Sequence, residues 1–214
     1  MANKVCYFDG YGRAEFIRMM FKHSGNSFED ERVDLANEWP AMKESGRFPL
    51  KSLPEVTLDG VVMVQSRAAA RAVAIKFGYY SSDHKTIHAI DAILDFNQET
   101  NEPIWAYVFN PNKDEEGNKK WEEAWAKKHK ILEARLAGHG KSFIAGTDKP
   151  TLADFSVAGI YLMTVYSDSW MAKGPLCDVV KQQLEGCPNL KRYLENTLMT
   201  EFAKYLAERP ACPF

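Results

Sequence analysis

The first third of the chain is a succession of short apolar runs separated by turn-forming residues, and the rest repeats its apolar positions at helical spacing. The β-rich run Lys4 to Phe8 predicts a strand, Arg13 to His23 a helix, and Phe28 to Val33 a second strand. Pro40, with its fixed φ, suits the opening turn of another helix. Glu55 to Leu58 and Val61 to Val64 flank Asp59-Gly60, a pair that favours a two-residue hairpin turn, and a helix opens near Ser66. The order is βαβ, then α, then ββ, then α.

Past Phe77 the run Gly78-Tyr79-Tyr80-Ser81-Ser82-Asp83 breaks the pattern, and everything beyond it reads as helical. Ile87, Ile90 and Leu94 line one helix face. Trp121, Ala124, Trp125, Ile131, Leu132 and Leu136 line a second, and Leu152, Phe155, Gly159 and Leu162 a third. Thr151-Leu152-Ala153-Asp154 has the spacing of a capping box in front of that third helix. The charged run Lys113 to Glu116 reads as a solvated loop or helix start. The expected fold is therefore α/β plus all-α, with an α/β domain over residues 1–79 and an all-helical domain over residues 80–214.

Composition narrows the function classes. The chain has 214 residues, 45% hydrophobic and 26% charged, enough to bury a core. Its formal charge of −2 supplies no basic field for a nucleic acid or an anionic membrane, so neither is expected as a partner. Asp9 arrives before an apolar leader could form, and no apolar run nears the ~20 residues of a membrane helix. Cys6, Cys177, Cys187 and Cys212 are scattered, which fits reduced thiols and a cytoplasmic location. His84 and His88 have metal-like spacing without a third ligand, so no metal is expected. Gly138-His139-Gly140-Lys141-Ser142 ends like a phosphate loop, but Arg135 takes the first glycine position and a helix precedes it where a strand is required.

The chemistry gathers at Tyr7-Phe8-Asp9-Gly10-Tyr11-Gly12-Arg13-Ala14-Glu15, where a phenol at a strand end meets a glycine-containing turn and an arginine at a helix entrance. Such a turn presents backbone N–H groups and a phenolic O–H to one small space, an arrangement that stabilises an anion. The segment resembles the N-terminal signature of the Tyr-type cytosolic glutathione transferases, the sigma class most closely, with Tyr11 in place of that class's first arginine. The resemblance continues through Glu29-Asp30-Glu31-Arg32, Glu38-Trp39-Pro40, Lys43, Leu53-Pro54 and Gln65-Ser66. It runs on to the ending Arg209-Pro210-Ala211-Cys212-Pro213-Phe214. Helminth transferases, prostaglandin D synthase and the lens S-crystallins belong to the same circle.

The resemblance implies a thioredoxin-like βαβαββα domain ahead of the helices, glutathione as co-substrate and a homodimer. Tyr7 would activate the thiol, with Arg13 beside it. Leu53, next to Ser52, would pair its backbone with the cysteinyl part, ahead of a cis bond at Pro54. Trp39 and Lys43 would take the glycyl carboxylate, and Gln65 and Ser66 the γ-glutamyl carboxylate. Glu99 of a second subunit would meet the γ-glutamyl ammonium, although a solvated helix carboxylate reads equally well there and at Asp91 and Asp95. A small hydrophobic electrophile would lie against Phe8, the helix carrying Trp105, and Phe214. The implied activity is conjugation of glutathione to such electrophiles in detoxification. A glutathione-dependent isomerase resembling prostaglandin D synthase is one alternative, and a non-enzymatic protein like the S-crystallins is the other.

Overall fold

The computed structural model describes residues 2–167 and 175–212. Strand β1 (Lys4–Phe8) buries Val5, Cys6 and Tyr7 at the centre of a four-stranded sheet of order β2-β1-β3-β4. β2 (Glu29–Val33) runs parallel to β1, in register from Lys4↔Glu29 to Phe8↔Val33. A parallel neighbour requires a crossover. It is supplied by a 3₁₀ turn (Gly12–Ala14) and helix α1 (Glu15–His23), so the helix expected from Arg13 begins with a tighter turn. β3 (Glu55–Leu58) and β4 (Val61–Val64) add antiparallel strands. Asp59 and Gly60 have φ of 50° and 83°, the positive pair of a type I′ hairpin turn. The short α2 (Trp39–Glu44) begins one residue ahead of Pro40, and α3 (Ser66–Phe77) ends at Gly78 in the left-handed conformation.

The helical part opens with α4 (His84–Val108), capped by Asp83 accepting from Thr86 N–H, and α5 (Glu115–Ala137), capped by Asp114 accepting from Gly117 N–H. Asp114 thus makes the charged run a helix start. All thirteen residues of α6 (Leu152–Thr164) are buried. This apolar rod lies against α4 on one side and α1 on the other. Gly159 permits the second approach, because a Cβ there would stand 3.3 Å from Phe16 Cβ. Then follow α7 (Pro175–Glu185), α8 (Pro188–Arg192), a π-helical segment Tyr193–Leu198, α9 (Met199–Glu201) and α10 (Ala203–Glu208). Among the described residues no helix is long and apolar enough to cross a membrane, and no group of three His, Cys, Asp or Glu could hold a metal ion. The architecture is a thioredoxin-like α/β layer followed by a helical one.

Candidate functional site

Where β1 ends, Tyr7 is 7% exposed and its hydroxyl accepts a hydrogen bond from the Arg13 backbone N–H at 3.1 Å. The turn that brings Arg13 back to the strand depends on Gly12. Its φ is +44°, and a Cβ there would sit 2.6 Å from the Tyr7 hydroxyl oxygen. The turn is braced from below by the buried Arg18, whose Nη1 donates to Gly10 O at 2.6 Å and whose Nε donates to Asp30 Oδ1 at 2.8 Å. Burial raises the Tyr7 pKa above the ordinary phenol value, opposed by the Arg13 N–H and the charges of Arg13 and Arg18. The phenol therefore stays protonated at neutral pH. With a lone pair occupied by Arg13 N–H, its own hydrogen is available to the space in front of it.

That space is a cavity of about 400 Å³ lined by Tyr7, Phe8, Arg13, Trp39, Ser52, Leu53 and Trp105, all singled out in the sequence. It brings together both parts of the fold, since Trp105 comes from α4 and Met163 from α6. Trp39 stands edge-on to Phe8, ring centroids 5.5 Å apart. The Leu53–Pro54 peptide is cis. Gln65, with φ of 69°, precedes the first residue of α3, Ser66, at whose end the helix leaves unpaired N–H groups. Ser66 lines a second, narrower cleft that shares Gly12, Arg13, Trp105 and Met163 with the cavity.

Lys43 and Glu99 do not line either space. Lys43 is exposed on the last turn of α2. Glu99 lies on α4 with 65% of its side chain exposed, paired with Lys127 at 2.7 Å. Asp95 pairs with Arg67 and Arg71, and Asp91 with Arg71. Phe214 lies outside the described residues.

The cavity also contains Leu35, Lys51, Phe109 and Met163, which the sequence did not single out. Two carried a signal: Lys51 directly precedes Ser52-Leu53-Pro54, and Phe109 follows Trp105 by one helical turn, their ring centroids 6.1 Å apart. Met163 carried none. It reads as one more apolar residue of α6, yet its sulfur accepts from the Gly12 N–H at 3.2 Å.

Residues 98–197 match the family described as glutathione S-transferase, C-terminal domain. A probable glutathione S-transferase 5 of Caenorhabditis elegans is 29% identical over 206 residues, which cover 93% of this chain and 98% of the relative. Glutathione S-transferase alpha-3 of Rattus norvegicus is 25% identical over 191 residues, 88% of this chain and 86% of the relative. The crystal structure of a monomeric glutathione S-transferase from the hookworm Necator americanus superposes with a TM-score of 0.84 at 26% identity, covering 100% of both chains. In its fold, in its helical domain and along most of its length, the chain is similar to glutathione S-transferases.

Proposed function

We propose that the cavity beside Tyr7 binds glutathione and that the protein, as a sigma-type cytoplasmic enzyme of detoxification, conjugates it to small hydrophobic electrophiles. One observation carries this reading. The Tyr7 hydroxyl, buried, protonated and already accepting from Arg13 N–H, faces a cavity walled by Phe8, Trp39 and Trp105. A free thiol has a pKa near 8.5, so only a few per cent is thiolate at neutral pH. Donation from Tyr7 to the sulfur favours the thiolate, and the Arg13 guanidinium adds favourable potential. A shift of about two pKa units corresponds to ~2.7 kcal/mol, within reach of one or two charge-assisted hydrogen bonds. The thiol proton leaves to solvent. The thiolate sulfur then forms a bond to the electrophilic carbon, and the displaced pair leaves with the departing group or stays on the adduct.

The remaining residues divide the tripeptide among them. The Leu53 backbone, presented by the cis Pro54 and next to Ser52, pairs with the cysteinyl part. Trp39 and Lys43 receive the glycyl carboxylate, joined by Lys51 on the cavity wall. Gln65 and Ser66 receive the γ-glutamyl carboxylate at the start of α3. The electrophile occupies the apolar side formed by Phe8 and Trp105.

Retention on immobilised glutathione, followed by assays with an aromatic halide and with prostaglandin H, tests the function. Turnover of the halide is expected. Prostaglandin turnover alone would move the protein to the isomerases, and retention without either turnover would make it a binding protein. The reading also includes a two-fold homodimer in which Glu99 of each copy approaches the other's glutathione; an isologous pair is the commonest assembly of this kind. Sedimentation should give the mass of two chains. A fully active single chain, like the monomeric hookworm relative in state, would refute the assembly without touching the chemistry.

A further inference from the structure

The segment Gly138-His139-Gly140-Lys141-Ser142 follows α5 where a nucleotide-binding phosphate loop would follow a strand. Its last three residues nevertheless line a recess of about 380 Å³, a volume in the range of small-molecule sites. Gly140 makes the turn with a φ of +63°, and a Cβ there would meet nothing within 4 Å, so the loop faces open space and not a packed wall. The recess shares no residue with either space beside Tyr7. Another side of it comes from the π-helical segment Tyr193–Leu198, a wide turn of a kind that recurs at functional sites, through Asn196 and Thr197.

Two cations, Lys141 and Arg192, line this recess, and no Asp or Glu is among the described residues that do. Arg192 Nη2 donates to Asn189 Oδ1 at 2.8 Å, and among the described residues no carboxylate pairs with it. Lys141 pairs with Asp148 at 2.8 Å, with side chains 47% and 79% exposed, a contact that contributes little and can open. Glu133, one turn before the end of α5, is engaged by the N–H groups of Asn189 and Leu190 at 3.2 and 2.7 Å. The side chains of Ser142, Asn196 and Thr197 have no hydrogen-bond partner among the described residues. Leu136 and Ala137 also line the recess, and as the last residues of α5 their carbonyls have no intrahelical donor.

Cations and unused hydroxyl and amide donors thus share one recess with unused carbonyl acceptors. The first set matches a phosphate ester, which carries nearly two negative charges at neutral pH and three acceptor oxygens. The second matches hydroxyl groups on the carbon skeleton that bears it. Inorganic phosphate would leave the carbonyls unused, and a neutral sugar would leave the cations unused. We propose that this recess binds a small phosphorylated polyol, its phosphate on Arg192, Lys141 and Ser142 and its hydroxyls on the end of α5.

Titration of the isotope-labelled full chain with ribose phosphate, followed by its backbone amide resonances, tests the assignment. Saturable shifts should centre on residues 140–142 and 192–197. Inorganic phosphate should bind about ten-fold more weakly, and ribose should produce no saturable shift. Arg192→Gln should weaken ribose phosphate by about ten-fold, the scale of one hydrogen bond to a charged group. Lys141→Gln should weaken it by a smaller factor, because Asp148 already offsets that charge. No saturable shift, shifts confined to the cavity beside Tyr7, or undiminished affinity in Arg192→Gln overturns the proposal; should that variant not fold, Lys141→Gln decides by itself. Ribose binding as tightly as its phosphate would overturn the role of the cations, and inorganic phosphate binding as tightly would overturn the polyol.

Discussion

At the scale of single residues the site depends on one hydroxyl and on the missing side chain beside it. Tyr7→Phe keeps the ring and removes the donor, so glutathione binding should change little while the pKa of the bound thiol climbs toward the free value. At neutral pH the conjugation rate should fall about 10- to 100-fold, the equivalent of ~1.4 to 2.7 kcal/mol. The deficit should narrow as pH rises and solvent ionises the thiol; wild-type rates and an unchanged thiol pKa would leave Tyr7 a structural residue. Gly12→Ala attacks the same contact from the other side. The left-handed φ costs a side chain about 1–2 kcal/mol, and the new methyl would lie 2.6 Å from the phenol oxygen, so Tyr7 has to move. The variant should lose stability on that scale in denaturant and also lose activity at least as severely as Tyr7→Phe. A destabilised variant with full activity would show that the phenol position is not critical.

At the scale of elements, the turn and cap residues were the most legible parts of the sequence. Asp59-Gly60 announced its hairpin, and Thr151 with Asp154 announced α6, because each signal is a local backbone requirement written in two residues. Asp154 does more than the capping pattern foretold. Its buried carboxylate accepts from Thr151 N and Oγ1, from Ile144 N at 2.9 Å and from Tyr193 OH at 2.6 Å. It ties the start of α6 to the preceding loop and to the π-helical segment. Asp154→Asn turns an acceptor oxygen into a donor facing an N–H that cannot rotate away. Unfolding in urea should register a loss of roughly 3–5 kcal/mol, the cost of breaking a buried charged network; a loss below about 1 kcal/mol would mean the bonds are replaceable by water. The Tyr193 partnership was invisible because it spans 39 positions and reflects packing alone. The same holds for Met163, which reaches the cavity from a segment whose own pattern marks it only as helix interior. Residues whose role is set by local geometry could be read ahead. Those recruited by the meeting of the two layers could not, and the residues taken from the family resemblance were placed by an ordered pattern along the chain and not by any contact.

For the whole molecule, the most informative group is one that no motif marked. Lys128 is fully buried between α4 and α5, its Nζ donating to Thr100 Oγ1 at 3.1 Å and Asn101 Oδ1 at 2.7 Å and lying 6.0 Å from the Trp125 ring centre. No carboxylate is among these partners. Burial alone pushes its pKa down from 10.5 to about 7. Above pH 7 the folded chain has therefore released this proton while the unfolded chain keeps it until about 10.5, so the unfolded state binds more protons and stability rises with pH across that window. Near pH 7 and below, the penalty for the buried charge is present in full. Lys128→Met has comparable length and no charge. Its stability relative to wild type, measured by urea unfolding from pH 6.5 upward, should be highest near neutrality and decline by up to ~1.4 kcal/mol per pH unit as the wild type catches up. The decline should end near pH 10.5, where both states of the wild type are neutral at this position. His129 beside it, pushed down to about 4 by burial first and Lys128 second, is neutral in the folded chain throughout that range and leaves the comparison unaffected. A stability difference that stayed constant from pH 6.5 to 10.5 would mean that Lys128 holds the same charge in the folded and unfolded chain, and that the polar groups around it compensate its burial completely.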